Sequence, residues 1–256
     1  MAGRARRRTA DGASVDADEV ARFDALARDW WDPEGPMRPL HRLNPVRLAY
    51  LRSRLAGHFG LSDDGRQPLA GLAVADVGCG AGLLSEPLAR LGAEVTAIDV
   101  SAENIVVAEA HAREAGLKID YRCSSAEALA TTGRRFDALV SMEVVEHVAD
   151  LTGFLATCGA LVRPGGAAAF ATLNRTAKSY AMAILGAEYL LRWLPRGTHR
   201  WDRFVKPAEL RRHLAAGGLR VTDIRGVGFD PLAREWRLGA DRSVNYLAFA
   251  VKDGGR

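Results

Sequence analysis

Three glycines at alternate positions follow an acidic residue in the segment 76–82, which reads Asp-Val-Gly-Cys-Gly-Ala-Gly. Because they carry no Cβ atom, Gly78, Gly80 and Gly82 can adopt positive φ and let the backbone approach a ligand closely. The spacing differs from the Gly-x-Gly-x-x-Gly dinucleotide fingerprint, since position 83 is Leu. The alternative interpretation is a glycine-rich turn between a strand and a helix that holds no ligand.

A second acidic residue favours the ligand interpretation. An apolar run at residues 72–77 predicts a buried strand before the glycines, and the next run, residues 94–98, ends on Asp99. The carboxylate of Asp99 can accept hydrogen bonds from both hydroxyls of a ribose, and Asp76 stands at the same edge of the predicted sheet. The sequence therefore predicts a nucleoside site there. After a third apolar run, the backbone N–H groups and the polar side chain of Ser125-Ala126 are expected to hold the base of the nucleoside.

A cluster of titratable residues follows the fourth apolar run, in the segment 141–148, Ser-Met-Glu-Val-Val-Glu-His-Val. If this segment is helical, Glu143, Glu146 and His147 share one face, because they are spaced i, i+3 and i+4. They can then bind Mg²⁺, although Mg²⁺ prefers oxygen ligands and His147 would be an unusual one. Alternatively His147, with Glu143 beside it, is a general base that takes a proton from a hydroxyl group. The third interpretation is that these residues cap a turn and form surface ion pairs.

Arg47 closes an upstream segment, residues 39–47, which reads Pro-Leu-His-Arg-Leu-Asn-Pro-Val-Arg. Its guanidinium group offers two parallel donors to a ligand carboxylate. The alternative is an ordinary exposed arginine on a helix.

The elements that must position these residues alternate between short apolar strands and amphipathic helices. Strands are predicted at residues 72–77, 94–98, 118–123, 136–142, 167–173, 219–226 and 245–251. Helices are predicted at residues 17–30, 45–59, 83–91, 102–115, 151–161 and 208–216, with a short turn near 126–129. This alternation predicts an α/β fold with a doubly wound, mostly parallel sheet of seven strands, the last two forming an antiparallel pair at the edge.

Composition indicates one large domain, residues 17–256, after a disordered basic tail at residues 1–16. The net charge of +4 is not gathered into a stripe, so no nucleic-acid partner is expected. The three cysteines are too far apart for a zinc site or a disulfide framework and indicate a reducing compartment. No run of about 18 apolar residues is present, and the basic start has no apolar run behind it. These features predict a cytoplasmic bacterial protein rather than one of the mitochondrial matrix.

An apolar insertion with basic flanks occupies residues 174–206. Within residues 177–194, apolar side chains recur at helical spacing, at Tyr180, Ile184, Ala187, Leu191 and Leu194. Such an amphipathic helix can lie in a membrane interface, or it can pack as a lid over the site. The two interpretations are compatible.

Segments outside the glycine loop resemble the ubiquinone-biosynthesis O-methyltransferases of bacteria and mitochondria. These are class I methyltransferases with a Rossmann-like fold that use S-adenosylmethionine. The glycine loop is similar to the motif that many class I methyltransferases share. From about residue 20 onward the matching segments are 30–32, 39–47, 76–82, 142–147, 172–175, 186–189, 195–199, 204–207 and 244–246. Departures are Ala81, where the family frequently has Gly, and Arg200, where it often has an acidic residue.

The resemblance implies methyl transfer to polyprenylated phenols and quinols, such as demethylubiquinol and catechol-type intermediates. It places the cofactor contacts on Arg47, Gly78, Asp99 and Met142. It also places the Mg²⁺ associated with related mitochondrial enzymes on Glu143, Glu146 and His147. The family's lipid-binding segment corresponds to the insertion, so a membrane surface and other quinone-biosynthesis proteins are expected partners. A methyltransferase for another phenolic metabolite, or a non-catalytic scaffold that binds S-adenosylmethionine, are the alternatives.

Overall fold

An eight-stranded sheet lies at the centre of the computed structural model, which describes residues 14–16, 19–21, 24, 27–181, 201–230, 233 and 235–254. The strands are β1 (Ala73–Val77), β2 (Glu94–Asp99), β3 (Asp120–Cys123), β4 (Phe136–Met142), β5 (Val162–Leu173), β6 (Leu219–Asp230), β7 (Glu235–Gly239) and β8 (Asn245–Lys252). Their order is β3-β2-β1-β4-β5-β8-β6-β7. The five strands from β3 to β5 run parallel, whereas β8, β6 and β7 join them in antiparallel pairs. The predicted α/β, doubly wound fold is confirmed.

Helices cover both faces of this sheet. They are α1 (Arg38–Phe59), α2 (Ser85–Arg90), α3 (Ala102–Glu114), α4 (Ala126–Thr131), α5 (Leu151–Leu161), α6 (Ala177–Ser179) and α7 (Pro207–Ala216), with 3-10 turns at Ala27–Asp29 and Trp201–Arg203. Neighbouring residues of a strand serve opposite layers: Val74 packs with α1, α2 and α3, and Ala75 packs with α4, α5 and α7. Because the central parallel strands are buried on both faces, they read as continuous apolar runs.

The predicted count of seven strands is wrong, because β7 lies beyond β6 at the edge of the sheet. Its pairing with β6 runs from Gly226–Gly239 to Asp230–Glu235. Five residues that include two charges give too short an alternation to indicate a strand from sequence. The predicted edge pair of 219–226 and 245–251 is antiparallel, but β8 lies inside the sheet, between β5 and β6.

The helix predicted at residues 45–59 begins earlier, at Arg38. Pro39 stands in its first turn, where no backbone donor is needed, and Pro45 lies inside the helix. Pro45 therefore does not mark a helix start, and the added turns bring Leu40 and Asn44 to the cavity described below.

Two predicted elements fall partly outside the described residues. Of the helix predicted at 17–30, residues 19–21 and 24 are helical, and the 3-10 turn follows. Of the predicted amphipathic segment 177–194, only residues 177–181 are described. Within the described part of the chain, no helix combines the length and the apolarity needed to cross a membrane.

Candidate active site

A cavity of about 250 Å³ lies at the carboxyl ends of β1, β2 and β4. Because β1 is flanked by β2 on one side and β4 on the other, the strand order reverses here. Doubly wound sheets bind their ligands at such a reversal. Eleven of the twelve residues predicted for the site line this cavity, namely Arg47, Asp76, Gly78, Gly80, Asp99, Ser125, Ala126, Met142, Glu143, Glu146 and His147.

The glycine loop has the positive φ angles that its sequence predicts, 78° at Gly78, 55° at Gly80 and 88° at Gly82. The missing side chains also make room for groups of the protein itself. A Cβ atom on Gly78 would lie 2.3 Å from Cγ2 of Val144, and one on Gly80 would lie 2.3 Å from the ring of Trp30. The loop is therefore covered by Trp30 and by the turn that follows β4.

Gly82 is the predicted residue that does not line the cavity. A Cβ atom on Gly82 would lie 2.2 Å from the hydroxyl oxygen of Tyr121, which is on β3. The third glycine therefore serves the packing of the loop against β3 rather than the approach of a ligand.

Asp99 ends β2 and its carboxylate fixes the backbone around it. Oδ2 accepts a hydrogen bond from the backbone N–H of Gly80 at 2.9 Å, and Oδ1 accepts one from Ser101 at 2.9 Å. Burial raises the pKa of Asp99, and these two hydrogen bonds oppose the rise by stabilising the ionised form. The carboxylate thus ties the glycine loop to the start of α3.

Asp76 is almost fully buried, and Oγ of Ser85 donates a hydrogen bond to its Oδ2 at 2.6 Å. Burial raises its pKa to about 7, and the negative charge of Asp99 adds to the rise while the Ser85 hydrogen bond opposes it. This contact connects the end of β1 to the first residue of α2.

The segment after β4 is a turn and not a helix. Glu143 has a φ of 57°, a left-handed conformation that a right-handed helix does not contain. The backbone N–H of His147 then bonds the carbonyl of Val144 at 2.8 Å. The predicted helical face shared by Glu143, Glu146 and His147 is therefore wrong.

Each of these three side chains has a different partner. Glu143 accepts a charged hydrogen bond from Nη2 of Arg47 at 2.5 Å, so the carboxylate that Arg47 binds here is the protein's own. Glu146 is buried and accepts a hydrogen bond from Thr172 at 2.8 Å. Burial, followed by the charge of Glu143, raises the pKa of Glu146 well above its ordinary value.

His147 faces the N-terminal segment. Its Nδ1 lies 2.9 Å from Oε2 of Glu19. Nowhere in the described ranges do three His, Cys, Asp or Glu side chains gather as a metal site would require. Because Glu143 is tied to Arg47 and His147 to Glu19, the predicted Mg²⁺ set does not fit this arrangement.

Ser125 caps α4 as well as lining the cavity. Its hydroxyl oxygen accepts a hydrogen bond from the backbone N–H of Ala128 at 3.2 Å, and Ala126 begins the helix. Met142 is the last residue of β4. These positions bring the first turn of α4 and the end of β4 to the same cavity.

The N-terminal segment supplies cavity residues that the sequence assigned to a disordered tail. Ser14 donates a hydrogen bond to Glu127 at 2.5 Å, and its carbonyl accepts one from Ala149 at 2.9 Å. Asp16 pairs with Arg203 at 2.8 Å. All of these contacts join residues far apart in sequence, so no local pattern signals them. Residues 1–13 lie outside the described part of the chain.

Comparison with known proteins finds methyltransferases. Residues 75–170 match the family model of a methyltransferase domain. The chain is 55% identical to a ubiquinone biosynthesis O-methyltransferase of Azorhizobium caulinodans, over 94% of this chain and 98% of the relative. It is 56% identical to the ubiquinone biosynthesis O-methyltransferase of Methylocella silvestris, over 97% of this chain and 99% of the relative.

Among solved structures, the fold matches magnesium protoporphyrin IX methyltransferase from Synechocystis with bound S-adenosylhomocysteine. The TM-score is 0.62 at 20% identity, over 91% of this chain and 94% of that one, so this likeness concerns the fold. The identity to the curated relatives extends over nearly the full length of both chains. This chain belongs to the family of ubiquinone biosynthesis O-methyltransferases.

Proposed function

We propose that this protein transfers the methyl group of S-adenosylmethionine to a phenolic hydroxyl of a polyprenylated quinone precursor, such as demethylubiquinol or a catechol-type intermediate. The observation that carries the proposal is the cavity that brings together the glycine loop, Asp99 and the turn holding His147. The names of relatives above 50% identity support the acceptor class.

The cofactor binds along the carboxyl edge of the sheet in this proposal. Asp99 accepts hydrogen bonds from the ribose hydroxyls, and the glycine loop carries the methionyl part. Ser125-Ala126 holds the adenine, and Met142 packs against the cofactor. Because Arg47 already pairs with Glu143, its role is to orient that carboxylate at the acceptor end of the cavity.

His147 is the proposed general base. A phenol has a pKa of about 10, like that of a tyrosine side chain, so its proton must leave as the bond forms. An ionised Glu19 accepts only from Nδ1–H, which places the lone pair of the neutral ring on Nε2. Nε2 takes the phenolic proton, the oxygen attacks the methyl carbon, and the sulfonium sulfur keeps the electron pair of the broken bond, leaving S-adenosylhomocysteine.

The expected Mg²⁺ takes no part in this mechanism, because two of its predicted ligands are already bound within the protein, Glu143 to Arg47 and His147 to Glu19. The membrane surface is a proposed partner through residues 177–194, which are mostly outside the described residues. The acceptor's long apolar tail is the reason to expect such a contact, and it makes peripheral attachment to the cytoplasmic face of a membrane part of the proposal. Other quinone-biosynthesis proteins are proposed as partners because the relatives of this chain are named for ubiquinone biosynthesis.

Methyl transfer from radiolabelled S-adenosylmethionine to a short-chain demethylubiquinol, with and without EDTA, tests the proposal. Turnover that EDTA leaves unchanged, and that His147→Gln lowers about 10²-fold or more, is expected for a histidine base. Turnover that EDTA abolishes and Mg²⁺ restores would replace the base mechanism with a metal-assisted one. Cofactor binding without turnover on any phenol would indicate the scaffold alternative.

A further inference from the structure

Trp30 covers the glycine loop from the N-terminal side. A Cβ atom on Gly80 would lie 2.3 Å from its ring, and the residue is buried, with 8% of its surface exposed. The ring packs with Met37 and Leu83, and the carbonyl of Trp30 lies 2.8 Å from Nε2 of His41. The indole is thus fixed on the wall of the cavity.

The indole N–H of Trp30 is buried, and no acceptor for it exists within the described structure. A buried donor without an acceptor loses its hydrogen bond to water and gains none in return, so such groups are rare in folded proteins and require an explanation. The neighbouring Trp31 shows the ordinary case, because its N–H bonds the carbonyl of Ala81 at 3.0 Å. Trp31 also stacks on His111 with 3.4 Å between ring centroids.

We infer that Trp30 is a further cofactor-binding residue, whose indole N–H donates a hydrogen bond to an oxygen of S-adenosylmethionine while its ring closes the cavity over Gly80. This inference rests on the proposed function. The cofactor offers two kinds of acceptor oxygen, the ribose hydroxyls and the methionyl carboxylate. Either would satisfy a donor that the protein leaves without an acceptor.

The two adjacent tryptophans provide a matched test with the full-length chain. Calorimetric titration with S-adenosylhomocysteine is expected to give about tenfold weaker binding for Trp30→Phe, the loss of one hydrogen bond with the ring retained. Trp31→Phe removes an N–H that already has a protein acceptor, so its affinity is expected to stay within about twofold while its melting temperature falls.

Titration with 5′-methylthioadenosine, which lacks the amino-acid part, locates the acceptor. An equal loss for Trp30→Phe with both ligands places it on the ribose, and a loss only with S-adenosylhomocysteine places it on the carboxylate. Unchanged affinity for S-adenosylhomocysteine in Trp30→Phe, or the same loss in both variants, would overturn the inference. An unaltered chain that does not bind S-adenosylhomocysteine would overturn the proposed function itself.

A second measurement on the unaltered chain remains decisive if Trp30→Phe folds poorly. The chain has five tryptophans. In an NMR spectrum, the signal of the Trp30 indole N–H can be assigned by replacing the other four tryptophans one at a time. Addition of S-adenosylhomocysteine is expected to move the Trp30 signal most. Movement confined to the other indole signals would contradict the contact.

Discussion

Asp99 is the residue on which the nucleoside site depends most directly. Replacing Asp99 with Ala is expected to weaken S-adenosylhomocysteine binding by about 1–3 kcal/mol, because hydrogen bonds from the ribose to an ionised acceptor are lost. Calorimetric titration measures the change. The control is Asp120→Ala, because Asp120 is an exposed carboxylate on β3 that pairs with arginines. This variant should bind S-adenosylhomocysteine normally. Equal affinities in the two variants would exclude the ribose contact.

Asp76 gives the protein a distinctive dependence of stability on pH. Its pKa is about 7 in the folded protein against an ordinary value of 3.8. Between these values the folded protein binds more protons than the unfolded chain, so the free energy of unfolding falls as the pH rises from about 4 to about 7. Urea unfolding of Asp76→Asn is expected to show a smaller fall over this window.

Ser85→Ala provides the opposite change for comparison. The Ser85 hydrogen bond opposes the rise in the pKa of Asp76, so its removal should extend the falling range to higher pH. Identical pH dependence in Asp76→Asn and the unaltered chain would show that this carboxyl does not titrate as the structure indicates.

Single residues also account for the limits of sequence-based prediction at the site. The glycine spacing and Asp99 are sufficient to predict where the cavity lies. Each directly follows or ends a predicted strand, and therefore stands at the edge of the sheet where ligands bind. The conformation of Glu143 was not predictable, since a left-handed glutamate has no sequence signal. The contact between Glu19 and His147 joins residues 128 positions apart and likewise has no local pattern.

At the scale of elements, the loop between β1 and α2 shows why one glycine matters outside the cavity. Gly82→Ala is expected to destabilise the fold by about 1–3 kcal/mol, through its positive φ and the contact with the Tyr121 hydroxyl. Adding Tyr121→Phe removes the contacted oxygen, so the double variant should lose less stability than the sum of the single ones. Denaturant unfolding measures all three, and strict additivity would show that the hydroxyl is not the obstacle.

Buried strands and regularly spaced helices are the elements that the sequence predicts best. The predicted bounds of β4 and α5 match the structure, because a long apolar run or a regular helical spacing defines each. Prediction failed where tertiary contacts decide. Packing against the core holds α1 helical through Pro45, and β6 supplies the partner without which β7 would be no strand.

At the scale of the whole molecule, the insertion is expected to join the domain to a lipid surface. Replacing Leu185 and Leu191 with Glu should abolish sedimentation with anionic liposomes and leave S-adenosylhomocysteine binding intact, because the charges oppose insertion of an apolar face. The matched control places the same charges at two exposed apolar positions of the described surface, Val106 and Leu238. If the insertion variant still sediments, residues 177–194 act as a lid and not as a membrane anchor.

The position of β8 has a consequence for synthesis of the chain. This strand follows β6 and β7 in sequence but separates β6 from β5 in the sheet. On the ribosome, the nascent chain therefore exposes the open edge of β5 until β8 has emerged, and an exposed strand edge can pair wrongly with other chains. Assembly of the parallel half can precede this moment, whereas β6 and β7 must wait for the strand that is made after them.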